Sequence, residues 1–202
     1  PVMADGGPLI ALQPIVDLGS GLRVGFEALS LETVGFEARS FKPLGFETFR
    51  FKTFGFEPLG QRRYWPIYEA AQEVGLPIGV HAFGFGGNPI TASGWPSHYI
   101  EEMVGHSQCQ QTALASLVLE GVFERFPNLK MVMVEAGFGW APSLAWRLDK
   151  VFARLHSEVP HLKRKPSEYI RDHIWWTTQP MEDPESRDHL FQTIEWIGWD
   201  KL

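Results

Sequence analysis

SQCQQTALASLVLEGVFERFPNLKMVMVE, residues 107–135, changes its hydrophobic period partway along. Leu114, Leu117, Val118, Val122 and Phe126 recur at helical spacing, which predicts an amphipathic helix over 107–126. Residues 129–135, LKMVMVE, are then almost continuously apolar, as in a strand covered on both faces. A helix feeding a buried strand is part of a parallel βαβ unit, and the rest of the chain can be tested for the same alternation.

The alternation continues on both sides. Upstream, residues 64–75 place Trp65, Tyr68, Ala71 and Gln72 at helical spacing and end on Gly75, a residue suited to a helix C-cap. Residues 76–81, LPIGVH, follow as a short strand, and a Gly- and Pro-rich stretch over 82–105 has the length of a binding loop. Downstream, Pro142 opens a helix to about residue 158, residues 174–178 form a third strand, and residues 184–197 a last helix. The cluster Lys163, Arg164, Lys165 precedes a helix-starting Pro166-Ser167 and reads as solvated surface. The predicted class is α/β with parallel strands, their crossovers being helices.

Residues 24–59 differ in texture. Gly-Phe-Glu recurs at Gly25, Gly35, Gly45 and Gly55, a period of 10, which in extended chain sends each Phe of the set to the same side. Short strands are one reading and a duplication that carries no fold is the other. The expected organisation is therefore a repetitive segment over 1–60, of undetermined fold, followed by an α/β unit over 61–202.

Composition bounds the function. The 202 residues include 18 Lys plus Arg against 24 Asp plus Glu, and the net charge of −6 gives no footprint for a nucleic-acid backbone. No apolar run approaches the roughly 18 residues that cross a bilayer, since Glu120 and Glu135 interrupt the best candidates. The single Cys109 excludes an intrachain disulfide and fits a reducing, cytoplasmic setting. No basic segment followed by an apolar stretch appears in the residues after Pro1, so a signal peptide is not expected within them.

In parallel α/β architectures the reactive groups gather at the carboxyl ends of the strands. His81 ends the first clear strand and Glu135 the second, each followed by glycines, in HAFGFGG and EAGFG. Both are metal-ligand types leaving successive strands on one rim. The bland alternatives are a core histidine and a carboxylate at a helix start. Trp95 and Trp140 are candidates for the wall of a substrate pocket or for packing beneath the loop, and Gln179, past the third strand, for hydrogen bonding to substrate. His98 and His106 flank Glu101 and Glu102 without a ligand spacing and read as a solvated helix face, whereas Trp175 and Trp176 alternate across one strand.

Two resemblances refine these expectations. LQPIVDLGSGLRVGFEAL, residues 12–29, resembles the start of the EAL domain, a family of cyclic-dinucleotide phosphodiesterases, and in that family Glu27 falls on a metal ligand. The match dissolves into the repeat. Residues 61–202 resemble the amidohydrolase-related family of metal-dependent hydrolases and decarboxylases, through the blocks YWPIYEAAQEVGLPIGVHAFGFGG, ASLVLEGVFERFPNLKMVMVEAGFGWAPSLAWRLDK and KRKPSEYIRDHIWWTTQPMEDPE. That resemblance implies a partial TIM (β/α)8 barrel, a divalent metal ion (zinc, with manganese the alternative) and a small carboxylic or cyclic substrate. It places His81 on the family's mid-chain metal-binding His, and Glu135 where members carry His or Glu, as ligand or catalytic group.

The family's His-x-His motif and its late Asp have no counterpart in this sequence. Metal coordination can lower the pKa of water from about 15.7 to about 7, roughly 12 kcal/mol of proton-removal free energy, whereas one general base contributes about 10²- to 10⁴-fold. Activity is thus expected only with further donors. The competing expectations are an EAL-type phosphodiesterase and a non-catalytic fragment that forms homo-oligomers through the exposed edges of three parallel strands.

Overall fold

The computed structural model describes residues 10–16, 23–30, 58–81 and 94–202, the first two stretches as backbone strands. Five strands make one sheet: β1 (Ile10–Val16), β2 (Arg23–Ser30), β3 (Ile78–His81), β4 (Met131–Val134) and β5 (Ile174–Trp176). They lie in that order, with β1 antiparallel to β2 and every later neighbour parallel. The chain is an α/β fold, a partial (β/α)8 barrel. The sheet is wider than the three parallel strands expected, because β2 pairs with β3 from Phe26↔Ile78 to Ala28↔Val80 and covers that edge. Of the repeat, residues 31–57 lie outside the described residues, as do residues 82–93 of the proposed binding loop.

Helix α1 (Trp65–Val74) begins with Pro66 in its first turn and stops at Gly75, whose φ of 68° is the left-handed value that a C-cap glycine accepts without a Cβ penalty. Its Tyr68 is buried, donates to the Leu59 carbonyl at 2.6 Å and meets Phe126 edge-on. Burial, and after it the charge interaction with Tyr64, disfavours the phenolate and pushes its pKa well above the usual value.

Helix α2 (Tyr99–Leu119) starts eight residues before the apolar stripe predicted. A capping box explains the early start: Glu101 accepts from the backbone of Ser97 at 2.5 Å and of His98 at 3.1 Å, so the first turn is satisfied without an apolar face. The same turn leaves Tyr99 and Ile100 exposed, which the stripe did not register. Past Glu120 the predicted helix breaks at Gly121, φ 78°, and a short α3 (Val122–Arg125) carries Val122 and Phe123 into the core.

Helix α4 (Ala141–Leu155) opens on Pro142, and α5 (Pro166–His173) leads straight into β5. Helix α6 (Arg187–Ile197) is capped by Ser186, whose hydroxyl accepts from the Asp188 amide at 3.3 Å. The core joins Leu114, Leu117 and Val118 of α2 to Met131 and Met133 of β4, Ile174 and Trp176 of β5 and Tyr169 and Ile170 of α5. Val132 and Trp175, in register on the other face, are half-buried, so β4 is not sealed equally on both sides as its composition suggested. Each buried aliphatic or aromatic side chain contributes about 1.5–3 kcal/mol by its removal from water.

Candidate functional site

Parallel register decides which side chains share a rim. His81 is paired with Val134 in the β3–β4 ladder, one residue before Glu135, so both groups leave the sheet at its carboxyl end. His81 Nε2 lies 3.4 Å from Glu135 Oε2. The imidazole side chain is 10% exposed and the carboxylate 52%, so one partner is fixed by packing and the other reaches solvent.

Glu135 has a φ of 52°, in the left-handed region a non-glycine residue rarely occupies. Such a backbone costs about 1–3 kcal/mol and persists only where neighbours hold it. Its N–H donates to Thr177 Oγ1 at 3.0 Å, and that hydroxyl donates to the Gln179 carbonyl at 3.2 Å. Two residues on, Gly137 (φ 63°) and Gly139 lie under the carboxylate of Glu182, which accepts from the Phe138 amide at 3.2 Å. A Cβ at Gly137 would fall 2.4 Å from Glu182 Oε1, so the glycine admits the carboxylate as well as the turn.

Helix α2 backs the same rim. Ser107 donates to the Ala136 carbonyl at 2.8 Å, and buried Gln110 donates through Nε2 to the Val80 carbonyl at 2.9 Å. Among the described residues, Gln110 Oε1 and His106 Nε2 are buried without a hydrogen-bond partner. His106 is thus half-buried against the rim and not a residue of a solvated face.

Of the remaining predicted residues, Trp140 and Gln179 adjoin this rim. Trp140 donates its indole N–H to the Ala136 carbonyl at 2.8 Å and packs edge-on against Trp176, ring centroids 5.0 Å apart. Gln179 is exposed and tied to the rim by its carbonyl, and Trp95 is 65% exposed ahead of α2. Glu27 stands on β2 in register with Gly79; its side chain lies outside the described residues. Thr177, Glu182, Ser107 and Gln110 were missed. Only Gln110 carried a signal, a polar residue one helical turn before Leu114 on the buried stripe.

The donor types suit a divalent ion such as zinc or manganese: imidazole nitrogen and carboxylate oxygen. Two such donors about 2.05 Å from one tetrahedral zinc are about 3.3 Å apart, close to the observed 3.4 Å. Among the described residues no third His, Cys, Asp or Glu joins them, one donor short of the usual catalytic set.

A cleft of about 690 Å³ opens at the other end of the sheet, between Leu129 and Lys130 before β4 and Asp172 and His173 before β5. Its charges are largely committed to one another: Lys163 to Glu124 at 3.3 Å and Arg164 to Asp172 at 2.5 Å, with Tyr169 also donating to Glu124. Burial pushes the Glu124 carboxyl up, but the hydrogen bonds from Tyr169 and Lys163 and the Lys163 charge outweigh it and hold the pKa below its ordinary value. In barrels this amino-terminal end serves stability, so position and chemistry favour the His81–Glu135 rim over this cleft.

The family described as amidohydrolase matches residues 37–202. A solved amidohydrolase from Mycobacterium avium subsp. paratuberculosis K-10 is 27% identical with a TM-score of 0.55, over 72% of this chain and 36% of its own. The 5-carboxyvanillate decarboxylase from Sphingomonas paucimobilis is 27% identical with a TM-score of 0.53, over 72% and 42%. A dihydroxybenzoic acid decarboxylase from Polaromonas sp. JS666, solved with manganese and 2-nitroresorcinol, is 23% identical with a TM-score of 0.50, over 71% and 42%. The chain thus spans less than half the length of these structures. Comparison with curated proteins gave no match. No described helix is long and apolar enough to cross a membrane.

Proposed function

Since this chain belongs to the amidohydrolase family, we propose that its β3–β4 rim contributes to the centre of a metal-dependent hydrolase or carboxy-lyase for small carboxylic or cyclic substrates. The observation that carries this reading is the 3.4 Å approach of His81 Nε2 to Glu135 Oε2 at the carboxyl end of a parallel sheet. His81 and Glu135 would hold the ion, zinc or alternatively manganese, together with donors from outside the described residues. When bound, such an ion supplies Lewis-acid polarisation of a carboxylate or carbonyl, or a bound water of lowered pKa.

The protein's own residues then have separable tasks. His81, mostly enclosed, fixes one donor direction, and Glu135, half in solvent, can hold or release a proton at Oε2. Trp140, held edge-on against buried Trp176, offers an apolar wall for a flat acid, the Gln179 amide a hydrogen bond to a substrate oxygen, and Trp95 a further aromatic face. A cytoplasmic setting suits the exposed, unpaired Cys109. The 27% identity to a decarboxylase supports the carboxy-lyase branch.

The test is turnover by the full chain, supplied with zinc or manganese, on a panel of small aryl carboxylic acids and cyclic amides, following CO2 release and ring opening. Metal-dependent turnover that His81→Ala abolishes supports the reading. Turnover indifferent to metal and to His81, or phosphodiester cleavage of a cyclic dinucleotide, overturns it.

A further inference from the structure

We propose that Thr177 is a positioning residue that sets the Glu135 carboxylate against His81, a proposal that rests on reading this pair as metal donors. Three bonds converge on Thr177. Its own N–H donates to the Met133 carbonyl at 3.1 Å, which carries the β4–β5 ladder one residue past Trp176 and fixes its backbone. Its hydroxyl oxygen accepts the Glu135 N–H at 3.0 Å, and its hydroxyl proton goes to the Gln179 carbonyl at 3.2 Å.

A hydroxyl has one donor and two acceptor positions, so this residue can accept from one rim loop while donating to the other. The demand arises at Glu135. Its φ of 52° turns the chain out of β4, and the bond to Thr177 gives its amide a partner at the turn. That bond selects the left-handed backbone from which the carboxylate stands 3.4 Å from His81 Nε2. The donation to Gln179 closes the β5–α6 loop onto the same point, so one side chain registers both rim segments. Valine matches threonine in shape and can make neither hydroxyl bond; serine keeps both and loses only the methyl group.

The experiment compares wild type, Thr177→Val and Thr177→Ser as full chains, with zinc alone as the probe. Zinc affinity is read by competition with a chromophoric chelator, amide exchange at Glu135 by NMR without metal, and folding by urea midpoint. Removing an outer hydrogen-bond partner of a metal site lowers affinity about 10- to 100-fold, the loss expected for Thr177→Val. Thr177→Ser should stay within about threefold of wild type, which loss of methyl packing could not explain. Equal affinity in wild type and valine variant, or equal losses in valine and serine variants, overturns the proposal. If wild type binds no zinc, the donor-pair reading fails by itself and exchange decides Thr177. Glu135 exchange accelerated about tenfold in Thr177→Val, with Val134 unchanged, supports it, and unchanged Glu135 exchange refutes it. If Thr177→Val does not fold, Thr177→Ala read against Thr177→Ser makes the same comparison.

Discussion

Gly137→Ala probes how the rim is closed. At φ 63° an alanine carries the left-handed penalty of about 1–2 kcal/mol, offset in part because alanine restricts the unfolded chain, leaving about 1 kcal/mol. Its Cβ would also stand 2.4 Å from Glu182 Oε1, roughly 1 Å inside contact distance, so the carboxylate must withdraw and release the Phe138 amide. A bond to a charged acceptor is worth about 1.5–3 kcal/mol, reduced here to about 1 because Glu182 is exposed. The whole effect is then about 2 kcal/mol, or about 4–8 °C in Tm at this chain length. The assay is a double-mutant cycle with Glu182→Ala, read by urea unfolding. In the Glu182→Ala background Gly137→Ala should cost only the backbone part, about 1 kcal/mol. Equal costs in both backgrounds would refute the proposed contact.

Other outcomes follow from the same geometry. Gly60→Ala should lose about 3 kcal/mol or more in urea unfolding, since its Cβ would lie 2.2 Å from the Ser116 carbonyl oxygen on the backbone of α2, which cannot step aside. Glu135→Gly should be neutral or up to about 1 kcal/mol more stable, by relief of the left-handed backbone, while weakening zinc binding; a clear loss of stability would contradict the strain. Burial lowers the pKa of His173, and the Arg164 and Lys201 charges act the same way against the opposing Leu129 hydrogen bond and Asp172 charge. The folded state therefore resists a proton that the unfolded chain takes up near pH 6.5, so this contribution is present above that pH and is lost on acidification towards the folded pKa. His173→Gln should flatten the fall in urea midpoint between pH 7.5 and 5.5, and an unchanged slope would exclude His173 as its source.

Periodicity made the α/β alternation legible because the apolar stripes of α2 and α4 and the apolar runs of β4 and β5 supply the core. It did not mark the start of α2, which depends on the Glu101 capping contacts and not on an apolar face. Nor did it show β1 and β2 joining β3, since strand pairing is a long-range choice that a local pattern leaves open. His81 and Glu135 were legible as strand-end residues because parallel strands bring their carboxyl ends together whatever lies between them. Thr177 and Glu182 were not. Their partners, Glu135 and Phe138, lie 42 and 44 residues away, and neither side chain breaks a local pattern.

The most direct measurement is the zinc or manganese held by the purified chain after equilibrium dialysis against limiting metal, for wild type, His81→Ala and Glu135→Gln. Two donors of one ion predict a bound stoichiometry in wild type that falls in both variants, while urea midpoints show each still folded. Equal metal content in all three, or none in any, would contradict the shared centre.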